Sequence, residues 1–135
     1  MSNFRRGRRF IKTVTFDGTA GKGAIGTVAI ATVTGSVLLT YLTARCKTLL
    51  TGATATVELG STGNTAALIA LTTATDIDAD EFWQDATPEL RVSPAVVDKC
   101  VATDIILTVA TAAVATGVIE FVILWTPLSS DGMLA

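Results

Sequence analysis

Ala53-Thr54-Ala55-Thr56-Val57-Glu58-Leu59 alternates small or apolar residues with polar ones without a break. Successive side chains of a strand point to opposite faces, so Ala53, Ala55, Val57 and Leu59 are predicted to face a core while Thr54, Thr56 and Glu58 face away. The turn-forming cluster Gly60-Ser61-Thr62-Gly63-Asn64 follows, and residues 66 to 71 resume an apolar run, which completes a hairpin. Moving toward the N-terminus, residues 37 to 47 (VLLTYLTARCK) form the longest predicted strand. Its alternation puts Leu39, Tyr41, Thr43 and Arg45 on one face and Leu38, Leu42, Ala44 and Cys46 on the other. Residues 27 to 33 make a further strand ending at the turn Thr34-Gly35-Ser36, and residues 12 to 16 make the first one, with Val14 and Phe16 on the same side.

Moving toward the C-terminus, Asp78 stands three residues before Glu81, the spacing of a capping box, so Glu81-Phe82-Trp83 is predicted to form a short helical turn above the sheet. Pro88 and Pro94 confine residues 89 to 93 to an edge strand or a connection, because proline cannot donate to a ladder. Residues 105 to 109 and 118 to 125 are the closing strands, and the Ala-rich residues 109 to 114 between them permit a short helix. Ile119, Phe121, Ile123 and Trp125 give one apolar face, and Val118, Val122 and Leu124 make the other face apolar too. Such a strand is buried on both sides, between two layers or against another subunit. About eight strands at turn spacing predict an all-β, single-domain β-sandwich or jelly roll over residues 13 to 135, preceded by an extended basic N-terminal arm over residues 1 to 12.

Composition supports that class. The chain has 135 residues, half of them apolar but only 6% aromatic, and Thr, Ala and Val dominate. Thr and Val favour a pleated surface over a helix. The uncharged runs 23 to 44 and 105 to 119 approach membrane-span length, yet they are rich in Thr and Gly and are read as buried β structure. Arg8-Arg9-Phe10-Ile11-Lys12 imitates a twin-arginine export signal, but the residue that separates the Arg pair from Phe is missing, and Asp17 and Lys22 break the apolar stretch that should follow. Cys46 and Cys100 are too isolated for a zinc site; two buried thiols are expected, with a single bridge as the alternative.

Motifs for chemistry do not assemble. Gly21-Lys22-Gly23-Ala24-Ile25-Gly26 matches G-x-G-x-x-G, but a β-rich stretch follows it and no acid occurs between Asp17 and Glu58 to hold a ribose. Asp76-Ile77-Asp78-Ala79-Asp80-Glu81 begins like a calcium loop and then lacks its Gly at position six and Glu at position twelve. It is read as a solvated acidic turn. With no histidine in the chain, the usual nucleophile–base pairs cannot be built. The expectation is a protein that is not an enzyme, with no catalytic, cofactor or metal site.

Charge is divided along the chain. Arg5, Arg6, Arg8, Arg9 and Lys12 are five of the ten basic residues, so residues 13 to 135 hold the other five against all twelve acidic ones. The basic run, with Phe4 and Phe10 beside it, suits either nucleic-acid phosphates or carboxylates on a protein. The acidic body would repel nucleic acid, so a protein partner is expected. Asp76, Asp78, Asp80 and Glu81 of a neighbouring copy are one candidate receptor for Phe4, Arg5, Arg6, Arg8, Arg9, Phe10 and Lys12.

The stretch from Thr51 to Ala70 (TGATATVELGSTGNTAALIA) and the closing Ile119-Glu-Phe-Val-Ile-Leu-Trp125 with Pro127-Leu128-Ser129 resemble small virion proteins of tailed bacteriophages. The resemblance lies in composition and strand rhythm over residues 37 to 130. It implies a capsid decoration or cement protein, often trimeric, that contacts a major capsid protein in the virion and is assembled in the host cytoplasm. It identifies no individual functional residue. A tail, collar or fibre-attachment component, and a carbohydrate-binding β-sandwich module, are the alternatives.

Overall fold

The computed structural model describes residues 8–92 and 98–135. The chain is all-β, a sandwich of two four-stranded antiparallel sheets. In chain order the strands are β1 (Arg8–Phe16), β2 (Gly26–Ala31), β3 (Val33–Thr34), β4 (Val37–Thr51), β5 (Thr56–Ser61), β6 (Asn64–Thr73), β7 (Lys99–Val101), β8 (Ile105–Ala110), β9 (Thr116–Pro127) and β10 (Met133–Leu134). One sheet has the order β1-β9-β4-β7 and the other β2-β8-β5-β6, while β3 and β10 form a small separate pair. The pairs β1 with β9, β2 with β8, β4 with β7 and β5 with β6 are nested, as though one long hairpin had been rolled up.

Of the alternation from Ala53 to Leu59, Ala55, Val57 and Leu59 are fully buried, whereas Ala53 is exposed in the turn before β5. The β5–β6 hairpin closes through Thr62 and Gly63, with Ser61 facing Asn64. From β9, Ile119, Phe121, Ile123 and Trp125 enter the core between the sheets, beside Val14 and Phe16 of β1 and opposite Leu107, Val109, Val57 and Ile69. Removing this much apolar surface from water is the main term holding the two sheets together.

Several expectations are corrected. In β4 the register shifts between Leu39 and Tyr41, leaving Thr40 as an extra residue. A bulge of one residue reverses the facing of everything beyond it. Leu39 therefore joins Leu42, Ala44 and Cys46 in the core, and Tyr41, Thr43 and Arg45 lie on the outer side of the sheet, where Thr43 is still buried. The Ala-rich stretch is no helix: β8 runs to Ala110, and Thr111 then takes a positive φ of 73° in the connection to β9. Cys46 is buried but Cys100 is exposed, and neither is bridged.

The helical turn predicted at Glu81-Phe82-Trp83 is also absent. Glu81 does reach back to accept a hydrogen bond from the Asp78 backbone N–H at 2.9 Å, which is half of a capping box. The chain then runs extended along β4: the Asp80 N–H donates to the Cys46 carbonyl, the Cys46 N–H to the Glu81 carbonyl, and the Trp83 N–H to the Ala44 carbonyl. β7 covers this edge of β4 only at Val37, Leu38 and Leu39, so the acidic segment satisfies backbone groups that would otherwise be unpaired. Phe82 in turn bridges to Glu89, consistent with an edge role for the piece after Pro88. Among the described residues the one short helical element is a 3-10 turn at Ala74–Asp76.

Candidate functional site

The basic run and the acidic turn occupy opposite edges of one sheet. β1 starts at Arg8, four residues before the expected strand, so Arg8, Arg9, Phe10 and Ile11 belong to the sheet; Phe4, Arg5 and Arg6 lie outside the described residues. The register Arg8↔Trp125, Phe10↔Ile123, Lys12↔Phe121 and Val14↔Ile119 puts these pairs on the core side. Arg8 tolerates that position because its guanidinium lies over the Trp125 ring, 5.4 Å from the centroid, with its head still at the solvent rim. Lys12 is exposed, as are Arg9 and Ile11 on the outer side. Among the described residues β1 is paired on one edge only.

Asp80 and Glu81 border the far edge, beyond β9 and β4 from β1. At roughly 4.8 Å per strand spacing the two edges are about 14 Å apart, too far for ion pairs within one sheet. The Arg45 guanidinium meets Asp80 Oδ1 at 3.0 Å, but both side chains are solvated and the pair adds little stability. Asp76 and Asp78 lie on the turn that leads into this edge. Among the described residues no group of three carboxylates or thiols converges as a metal site. Cys46 lies beneath the acidic turn, its thiol donating to the Thr48 carbonyl at 3.1 Å. Burial, with the Asp78 carboxylate adding to it, pushes that thiol up to about 11.

Two further features mark the surface. The first is a cleft of about 270 Å³ between β1 and β2, lined by Lys12, Thr13, Val14, Thr15, Gly21, Lys22, Val28 and Ala29. It forms because β1 and β2 are edge strands of opposite sheets on the same side of the sandwich. The glycine-rich loop shapes its end. Gly23 has a φ of +119°, and a side chain there would strike the Val114 carbonyl, so the loop is fitted against the β8–β9 connection. The second feature is the outer face of the β1-β9-β4-β7 sheet. Val118, Val122 and Leu124 of β9 lie there with Ile11 of β1 and Tyr41 and Leu38 of β4; Ile11 is 49% and Leu124 36% exposed. The doubly apolar pattern of residues 118 to 125 signalled this face. The cleft had no sequence signal, because it depends on how two distant edges align.

No helix among the described residues is long and apolar enough to cross a membrane. No family model, curated protein or solved structure matches the chain.

Proposed function

We propose that this chain is a non-enzymatic virion structural protein of the capsid decoration or cement type, acting as a homotrimer attached to the major capsid protein. The observation that carries the reading is the apolar outer face of the β1-β9-β4-β7 sheet, where, among the described residues, Ile11 and Leu124 are exposed and Leu38, Tyr41 and Val122 are half-buried. An apolar sheet face left in water marks an interaction surface, and closed symmetric assemblies are the usual way to cover one. The nested strand pairing supports a jelly roll, an architecture found in viral capsid and lectin domains. Fold alone does not choose between those uses. Against the lectin-like, carbohydrate-binding use, Trp83 and Trp125 are both buried and offer no aromatic platform. A tail, collar or fibre-attachment component would use the same surfaces and differs only in its place in the particle.

Light scattering on the purified protein at micromolar concentration tests the assembly, with a mass of three chains expected. A stable monomer would remove the observation's significance. Labelling the chain in intact particles then locates it on the head or the tail, and its absence from particles overturns the virion reading.

A further inference from the structure

We infer that the open edge of β1, together with the cleft beside it, is the docking site for an extended acidic segment of a partner protein, which adds to the sheet as a further strand. The inference rests on the reading of the chain as an attached component and names the chemistry of the attachment.

A sheet edge with unpaired backbone groups is a template for another strand, and strand addition takes its affinity from main-chain hydrogen bonds and its selectivity from side chains. β1 offers nine residues of such an edge. Its charges determine which strand fits. Pairing of β1 with the β1 of a second copy about a twofold axis at Lys12 would set Lys12 directly against its counterpart, and like charges opposite one another are destabilising. The same cations favour carboxylates. On the core side, Arg8 and Lys12 flank Phe10, and the cleft beyond them carries the second exposed cation, Lys22. The cleft gives room for acidic side chains reaching inward from an added strand. On the outer side Arg9 is followed by Ile11 and Thr13, so the incoming strand needs an acid and then an apolar residue there. Read antiparallel to residues 8 to 14, the fitting pattern is Val-Thr-Glu-Val-Val-Glu-Glu, whose single Glu faces Lys12 and whose last two face Arg9 and Arg8.

The blocked peptide of that sequence is the probe, titrated into the full chain with hydrogen exchange as the readout. Binding is expected to slow exchange across β1 and leave unchanged β6, the edge strand of the other sheet on the far side of the fold. The Lys counterpart of the peptide should bind at least tenfold more weakly. Lys12→Glu with Lys22→Glu, both at exposed positions, should keep the melting temperature and narrow the preference between the two peptides to less than half its wild-type ratio, since Arg8 and Arg9 remain. Equal binding of both peptides, protection on β6 instead of β1, or displacement of the peptide by a single-stranded oligonucleotide each overturns the proposal. These outcomes concern the edge alone. A chain that takes the peptide but is missing from particles would sink the virion reading and leave the edge assignment standing.

Discussion

The indole N–H of Trp83 donates to the Thr72 hydroxyl oxygen at 2.8 Å, joining the segment that covers β4 in one sheet to β6 in the other. Both residues are buried, and the Thr72 hydroxyl itself donates to the Ala70 carbonyl at 2.8 Å. Trp83 closes the side of the sandwich opposite the β1–β2 cleft. Thr72→Val keeps the shape but leaves the indole N–H buried without its acceptor. The expected cost is about 1–3 kcal/mol in chemical denaturation. Trp83→Phe on the Thr72→Val background should then cost less than on the wild type, because the orphaned donor is gone. Equal costs in the two backgrounds would mean the hydrogen bond contributes nothing.

The outer sheet face predicts a separation of assembly from folding. Leu124→Lys and Ile11→Lys place charges on the exposed apolar patch without touching the core. Each should lower the assembled mass in light scattering at fixed concentration. Far-ultraviolet circular dichroism should be unchanged, since neither side chain supports the interior. An unchanged mass in the double variant would move the interface elsewhere.

The two thiols should behave differently. Cys100 is exposed and Cys46 buried, with its thiol raised to about 11. Under native conditions at pH 8 one thiol per chain should react with Ellman's reagent, and the second only on unfolding. The raised value also sets a pH dependence. Above pH ~9 the unfolded chain gives up its Cys46 proton while the folded chain retains it, so this group's contribution falls as pH rises toward about 11, with a slope of at most ~1.4 kcal/mol per pH unit. Cys46→Ala should flatten that part of the stability–pH curve whatever it does to absolute stability. Equal slopes for both proteins between those values would argue against a buried, ionisation-resistant thiol.

What the sequence made legible was set by local periodicity. Ala55, Val57 and Leu59 could be assigned to the core because no residue interrupts their alternation, and Ile119 to Trp125 because both faces are visible at once. Thr40 was not legible as a bulge: nothing in Leu39-Thr40-Tyr41 distinguishes an extra residue from a regular one, so the facing of Leu39 was assigned wrongly. Trp83 was misread because a capping-box spacing favours a helical turn locally, whereas the open edge of β4, more than thirty residues away, rewards an extended chain. The acidic residues 76 to 81 are neighbours in the sequence, but their position opposite β1 follows from strand order, which periodicity does not encode.

Arg8 and Arg9 are adjacent in sequence and face opposite ways, which gives the sharpest test of how the basic run is used. Arg8 lies over Trp125 on the core side, and Arg9 sits beside Leu124 on the outer side. A solvent-exposed cation over an indole contributes about 0.5–1 kcal/mol, and the aliphatic stem adds packing that a truncation also loses. Arg8→Ala should therefore lower the stability of the isolated protein by about 1 kcal/mol, read in denaturant. Arg9→Ala, which removes no hydrogen bond or ion pair among the described residues, should stay within ~0.5 kcal/mol of wild type. If both arginines also serve attachment, Arg9→Ala should reduce incorporation into particles despite its normal stability, and adding Arg5→Ala and Arg6→Ala should reduce it further. Raising salt should weaken attachment of the wild type in the same direction, since exposed charges are screened over about 8 Å at physiological ionic strength. Full incorporation of the Arg5, Arg6 and Arg9 variant would leave the basic run with only the structural task that Arg8 performs on Trp125.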